Sequence, residues 1–354
     1  MSHFYPLKVK NIEKVSKDAV AVTFDVPLQY VSQFRFKHGQ FITLKINIHG
    51  EPVIRSYSIC TSPYSEKELK VAVKEVPGGK MSTYINRELK IGDTVEVMPP
   101  SGKFYTELNS SHQKKYVLWA GGSGITPMMS IIKSVLFIEK QSQIILFYAN
   151  REVDNVIFKD EIDTLSKNNP NFQVVYIFDN PPANYTEEQS GLLNEQKIKT
   201  LLEKHNALNA DEHFICGPTP MMQLIESTLK QLNTSSEKIH IEYFTAVESD
   251  IKSAATEETN IVSEVTVILY GIETTFTLPS NGVNILDAAI QHGVDAPFSC
   301  KGGVCSTCRA KVLEGKAKMD VNYALTEQEV AEGFVLTCQA HPITEKVVVD
   351  YDAL

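Results

Sequence analysis

Four cysteines in the last quarter of the chain, Cys300, Cys305, Cys308 and Cys338, follow the spacing C-x4-C-x2-C-x29-C. Four thiolates at that spacing are the ligand set of a [2Fe–2S] centre, which moves one electron at a time. Three of them sit in one loop, SCKGGVCSTC, that must wrap a small cage closely. Small residues give it room: Ser299 just before the first cysteine, and Gly302, Gly303, Ser306 and Thr307 between the cysteines. Two other uses of cysteine fit less well. A disulfide framework belongs to short secreted chains, whereas this one has 354 residues, six cysteines and no apolar leader in MSHFYPLKVKNIEK. A structural zinc site normally shows two C-x2-C knuckles, and here there is one.

Several shorter motifs upstream carry complementary chemistry. In Arg55-Ser56-Tyr57-Ser58, on a predicted strand, an arginine fork suits a pyrophosphate, a tyrosine can stack on a flat ring and Ser58 can hydrogen-bond to it. An ordinary strand would account for the same four residues. Pro77-Gly78-Gly79-Lys80-Met81-Ser82 opens a predicted helix, whose free N–H groups and dipole favour a phosphate, with Ser82 as a further donor. A turn before a capped helix is the plainer alternative. Gly121-Gly122-Ser123-Gly124-Ile125-Thr126-Pro127 lies between a predicted strand and helix, the context of a dinucleotide site. Pro127 stands where the third glycine of G-x-G-x-x-G would be, which points away from standard dehydrogenases. Cys216-Gly217-Pro218 ends another predicted strand, where ligands bind in open α/β sheets. Cys216 is equally read as a buried core thiol, and Cys60 as core alone.

These motifs need a scaffold, and the hydrophobic patterning supplies one. LKVKNIEKV, AVAVTFDV, QFITLKINI, IRSYSIC, ELKVAVKEV and DTVEVMP predict an antiparallel β-barrel with one helix near 80–89. From Lys114 the pattern becomes strand and helix in alternation: KYVLWA, QIILFYA, FQVVYIF, EHFIC and KIHIEYF predict a parallel sheet in an α/β domain. TAVESDIKSAATEETNIVS breaks both patterns and predicts a linker. Two strands, a helix near Asn284–Gln291, the cysteine loop and a capping box at Thr326 and Glu329 follow, an α+β unit. The expected divisions are 1–112, 113–246, an acidic linker at 247–262, and 263–354.

No apolar run is long enough to span a bilayer, so a cytoplasmic protein with no membrane partner is expected. Net charge is −9, and residues 1–246 contribute none of it, with 27 acidic and 27 basic side chains. The linker carries −3 and residues 263–354 carry −6. An acidic redox end argues against nucleic acid and is suited to steering toward a basic protein partner, although solubility alone would also account for it.

Taken in order, RSYS, GGKMS, GGSGITP, CGP and the four cysteines resemble the ferredoxin–NADP reductase superfamily fused to a C-terminal plant-type ferredoxin (β-grasp) domain. PFSCKGGVCSTCRAKVLEGKAKMDVNYAL…GFVLTCQAHP is similar, more narrowly, to the reductase components of phenylacetyl-CoA 1,2-epoxidases. The resemblance implies an oxidoreductase passing electrons from NADPH through FAD and a [2Fe–2S] cluster to a separate oxygenase. It places Arg55, Tyr57 and Ser58 at the flavin and Gly79, Lys80, Met81 and Ser82 at its pyrophosphate. It places Gly122, Gly124, Thr126, Gly217 and Pro218 at the nicotinamide dinucleotide, with Cys216 by the nicotinamide ring. Glu242 and Phe244 resemble an acidic and aromatic pair that closes the flavin site, with Tyr243 a rival for the aromatic role. Ser58, Cys216 and Glu242 are then the candidate catalytic residues.

Arg151, at the end of the second parallel strand, is positioned to meet a 2′-phosphate and favours NADPH. Glu152 beside it could instead hold ribose hydroxyls and favour NADH. Other readings stay open: an FMN- and NADH-using oxygenase reductase, a reductase for a hybrid-cluster protein or another acceptor, and a redox sensor that does not turn over.

Overall fold

The computed structural model describes residues 4–66, 68–181, 185–244 and 261–353. Most of the expected linker therefore lies outside the described residues. Packing divides the chain into two compact units that part between Glu242 and Tyr243.

The first unit opens with a six-stranded antiparallel sheet. Its strands are β1 (Tyr5–Ser16), β2 (Ala19–Asp25), β3 (Phe41–Ile48), β4 (Glu51–Ser58), β5 (Leu69–Lys74) and β6 (Thr94–Val97), in the order β4-β3-β6-β1-β2-β5. A bridge from Ile59 to Val71 joins the two edges and closes the barrel. Helix α1 (Lys80–Arg87) inserts Met81 and Ile85 into the barrel core.

The five strands β7 (Lys115–Gly121), β8 (Gln143–Asn150), β9 (Phe172–Phe178), β10 (Glu212–Cys216) and β11 (Ile239–Glu242) form an all-parallel sheet, ordered β11-β10-β7-β8-β9. Helices α2 (Ile125–Ile138), α3 (Lys159–Asn168), α4 (Glu195–Lys204) and α5 (Thr219–Gln231) connect them.

Residue size on β2 and β5 decides how the barrel meets this sheet. Side chains alternate across a strand, and here the large ones, Val20, Val22, Phe24, Val71 and Val73, fill the barrel. The small ones between them, Ala19, Ala21 and Ala72, pack into the apolar cluster built on β7, β8 and α2. Alanine on the outer face permits close approach without a void. Helix α2 is consequently buried nearly all round. Its polar residues bond to the barrel's 60–66 segment: Ser130 Oγ donates to the Thr61 carbonyl (2.6 Å), and Ser134 Oγ to Ser62 Oγ (3.0 Å). Lys133, whose side chain is only 9% exposed, pairs with Glu66 (3.0 Å) and with Glu161 of α3 (2.6 Å). The buried ammonium is thus held between carboxylates of the barrel and of α3, and these contacts tie the two halves into one body.

The second unit is α+β. Strands β12 (Val262–Leu269), β13 (Ile272–Pro279), β14 (Arg309–Glu314), β16 (Phe334–Leu336) and β18 (Lys346–Asp350) form a mixed sheet, β13-β12-β18-β14-β16. An antiparallel pair, β15 (Ala317–Met319) and β17 (Ala340–Pro342), lies apart. Helix α6 (Ile285–Gln291), capped by Asn284 accepting from the Asp287 N–H (2.8 Å), packs Ile285, Ala288 and Ala289 against that sheet. Thr326 and Glu329 cap each other reciprocally at the start of α7 (Glu327–Ala331). Among the described residues no helix is long and apolar enough to cross a membrane.

Candidate functional site

In the first unit, Ser58, Cys216 and Glu242 come together. Ser58 ends barrel strand β4, while Cys216 and Glu242 end neighbouring parallel strands and are paired in register. Ser58 Oγ donates to Glu242 Oε2 at 3.1 Å across 184 residues of sequence. Burial pushes the Glu242 carboxyl up to about 8, against the opposing effect of the Ser58 hydrogen bond. Burial, reinforced by the Glu242 charge, also pushes the Cys216 thiol well up, so it stays protonated. The corner thus holds a neutral thiol beside a carboxyl that exchanges its proton near neutral pH.

The glycines explain how these strand ends approach one another. A Cβ on Gly124 would lie 2.0 Å from the Cys216 carbonyl oxygen. One on Gly121 would meet Pro218 Cδ at 2.5 Å, and one on Gly217 would meet the Gly121 nitrogen at 2.9 Å. GGSG and CGP are therefore fitted against each other. Gly122, at φ +52°, turns the chain into a short 3-10 segment and then α2, and Thr126 Oγ1 caps that turn on the Ser123 carbonyl (3.1 Å). Among the described residues, Lys74 Nζ alone comes within 4 Å of a Cβ built on Gly122, at 3.9 Å. Lys74, at the end of β5, escaped the sequence analysis because a lysine ending a barrel strand carries no motif. It brings a cation beside a glycine turn and helix start that favour phosphate.

Along β4, Tyr57 is half-buried against the barrel core, while Arg55 is exposed and Arg55 Nη1 donates to the Ile54 carbonyl (2.7 Å). Gly79 is the N-cap of α1, and a Cβ there would meet Ser82 Oγ at 2.5 Å. Ser82 Oγ accepts from the Val76 N–H (3.1 Å) and donates to the Gly79 carbonyl (3.3 Å), so the hydroxyl shapes its own loop. Met81 is buried, leaving its backbone for the loop, and Lys80 is exposed and paired with Glu51. A groove of about 370 Å³ runs past Gly78, Gly79, Lys80, His49 and Tyr84. An arginine and half-buried tyrosine on β4, a glycine turn opening a helix and an adjoining groove fit a flavin with its phosphates.

Arg151 and Glu152 follow β8 and are both exposed. Pro218 is the N-cap of α5. Phe244 is exposed and belongs to the second unit, as does Tyr243, whose ring lies 4.8 Å from that of Tyr323. Phe244 is therefore not part of the unit that brings Ser58, Cys216 and Glu242 together.

In the second unit the four cysteines converge. Cys305 Sγ donates to Cys300 Sγ at 3.2 Å, and the Cys338 thiol interacts with both Cys300 and Cys308. The Gly302 N–H donates to Cys300 Sγ (3.3 Å), and Thr307 Oγ1 is an acceptor within reach of the Cys305 thiol (3.4 Å). Sulfhydryl donors from Cys305 and Cys338 favour the thiolate at Cys300 and hold its proton affinity far below a free thiol's. Lys301 adopts φ +51°, secured by Gln339 Nε2 donating to its carbonyl (2.9 Å). Gly303 is at φ +72°, and a Cβ there would press on Val321 and Gln339. Cys305, Cys308 and Cys338 are buried, whereas Cys300 is partly exposed. Among the described residues no three ligand-type side chains are arranged around a single ion. A [2Fe–2S] cage shares four thiolates between two irons, so the adjacent thiols fit it without meeting that arrangement.

Family models match three stretches: an oxidoreductase FAD-binding domain at 6–105, an oxidoreductase NAD-binding domain at 118–227, and a 2Fe-2S iron-sulfur cluster binding domain at 267–342. A component of 1,2-phenylacetyl-CoA epoxidase from Escherichia coli K12 is 39% identical, covering 100% of this chain and 99% of its own. The ferredoxin reductase component of 3-ketosteroid-9-alpha-monooxygenase from Mycobacterium tuberculosis is 33% identical over 99% of this chain and 96% of its own. In fold, the chain is similar to phthalate dioxygenase reductase, with a TM-score of 0.59, 23% identity and 98% of each chain covered. With its fold, its three domain matches and a 39% identical full-length relative, the chain belongs to the ferredoxin–NADP reductase superfamily with a C-terminal plant-type ferredoxin domain, and is an NAD(P)H-dependent flavin and iron–sulfur electron-transfer oxidoreductase.

Proposed function

We propose that this chain is the cytoplasmic, NADPH-dependent reductase of a multicomponent oxygenase, most specifically one that epoxidises phenylacetyl-CoA. The observation that carries its reductase chemistry is the Ser58–Glu242 hydrogen bond beside Cys216, which joins the barrel's flavin-type motif to the parallel sheet's nicotinamide-type motif. The choice of partner rests on the full-length relative that is a component of 1,2-phenylacetyl-CoA epoxidase.

In this reading Arg55, Tyr57 and Ser58 hold FAD, with the loop Gly79, Lys80, Met81 and Ser82 and the dipole of α1 at its pyrophosphate. Gly122, Gly124, Thr126, Gly217 and Pro218 bind the nicotinamide dinucleotide, with Lys74 at its phosphates. Cys300, Cys305, Cys308 and Cys338 hold the cluster. Boundaries at 1–112, 113–246 and 263–354 follow. Bound there, FAD supplies the conversion between a two-electron hydride and the one-electron cluster. The protein's part is positional and electrostatic. Cys216, kept neutral by burial, presents an uncharged surface to a nicotinamide ring. Glu242 holds or releases a proton close to neutral pH, and Ser58 orients its carboxylate.

Arg151, exposed just after β8, supports this choice: a charge-assisted bond to a 2′-phosphate, worth about 1.5–3 kcal/mol, would favour NADPH by roughly ten- to a hundredfold. Arg151→Ala is expected to remove that preference in kcat/KM for NADPH over NADH. The partner is tested by tagging the protein in its host, grown with and without phenylacetate, and reconstituting NADPH oxidation with whatever it retains. Recovery of di-iron oxygenase components that accept electrons supports the assignment. Recovery of another redox enzyme, or a hybrid-cluster protein, that is reduced instead would reassign the partner.

A further inference from the structure

The second unit ends in a hydrogen-bond relay that points at a cluster ligand. Tyr351 O–H donates to Thr337 Oγ1 at 2.7 Å. Thr337 O–H donates in turn to the Cys308 carbonyl at 2.9 Å, and the Thr337 N–H reaches the same oxygen at 3.2 Å. Thr337 is fully buried, Cys308 is 1% exposed, and Thr337 directly precedes Cys338. The relay therefore ties together the backbones of two cysteines that lie 30 residues apart in the sequence.

Resting on the assignment of the four cysteines to a [2Fe–2S] centre, we propose that Tyr351 is a positioning residue that raises the reduction potential of that centre through Thr337. A hydroxyl has one proton to give. Because Tyr351 supplies the bond that Thr337 Oγ1 accepts, the Thr337 proton is committed to the Cys308 carbonyl. Two aligned O–H dipoles polarise one another, with their positive ends toward the ligand backbone, and so stabilise the negative charge that reduction adds. Hydrogen bonding around a cluster is one of the controls on its potential. The tyrosine is itself held firmly. Its N–H donates to the Ile268 carbonyl (3.0 Å), and its ring packs against both apolar clusters of the unit. It lies beyond residues 267–342, the stretch matched by the cluster-binding family model.

The test is an anaerobic redox titration of the full-length holoprotein, followed by visible absorption and electron paramagnetic resonance. Tyr351→Phe keeps the ring and loses the donor. It is expected to disfavour cluster reduction by several-fold to tenfold, a fall in midpoint potential of up to about 59 mV. Thr337→Val should shift the potential in the same direction, and Thr337→Ser, which keeps the hydroxyl, should restore it to within about twofold of wild type in equilibrium constant. An unchanged potential in Tyr351→Phe at full cluster content overturns the proposal. So does an equal shift in Thr337→Ser and Thr337→Val, a comparison that also decides the matter should Tyr351→Phe not retain its cluster. A wild-type protein that assembles no paramagnetic cluster on reduction would instead refute the cysteine assignment itself, and the relay's role with it.

Discussion

The cysteine loop and the Ser58–Glu242 corner each bring reactive side chains to about the same separation by opposite means. Cys300 and Cys305 are five residues apart and 3.2 Å between sulfurs. Ser58 and Glu242 are 184 residues apart and 3.1 Å between oxygens. In the first case a short loop with two glycines, a left-handed lysine and a clamping Gln339 determines the geometry. In the second, two folded sheets must dock correctly before the contact exists. Local chemistry therefore depends on loop conformation, and the long-range site depends on packing far from its own residues.

The largest expected effect breaks the cluster alone. Cys308→Ser should reduce electron delivery to the acceptor to background while NAD(P)H still reduces the flavin, as followed by stopped-flow absorption. Undiminished delivery would mean that electrons bypass the cysteines. Next is Gly124→Ala, whose new methyl would sit 2.0 Å from the Cys216 carbonyl. Overpacking at a rigid backbone contact costs about 1–3 kcal/mol or more. Thermal denaturation should show the first unit destabilised while the cluster's absorption spectrum persists; a wild-type melting curve would contradict the close fit of the two glycine motifs.

Glu242 gives a test in pH. Its carboxyl is raised from an ordinary 4.5 to about 8 in the folded state. Between those values the folded protein keeps a proton that the unfolded chain has lost, so stability falls as pH rises through that window and levels off above it. Glu242→Gln should flatten the slope of melting temperature against pH in the apoprotein, and identical slopes for both proteins would count against a raised carboxyl. The smallest effect is that of Ser58→Ala. Losing one hydrogen bond costs about 1 kcal/mol. The loss also removes a donor that favours the carboxylate, so the upper end of the pH window should move higher. A downward movement would show that Ser58 does not donate to Glu242.

Much of the scaffold was legible because its signals are periodic. Strand alternation and the change to strand–helix grammar near Lys114 correspond to the antiparallel barrel and the five-stranded parallel sheet. The capping box at Thr326 and Glu329 was equally plain, because it operates within one turn. What escaped notice were residues with ordinary neighbours. Lys74 reads as the end of a strand until Gly122 is folded against it. The alternation of alanine with larger residues on β2 and β5 was visible, but its meaning required knowing that both faces are covered.

By itself the sequence determined the order of the elements, the small-residue loop carrying three cysteines, and the positions of the glycine turns. Each follows from spacing, periodicity or backbone freedom, which act over a few residues. Tertiary structure alone decided that Glu242 meets Ser58 and Cys216, that Gly124 must be glycine because a carbonyl lies against it, and that Tyr351 reaches Thr337. Those are contacts between surfaces that exist only after strands have paired and sheets have packed, so no pattern local to any of these residues encodes its partner.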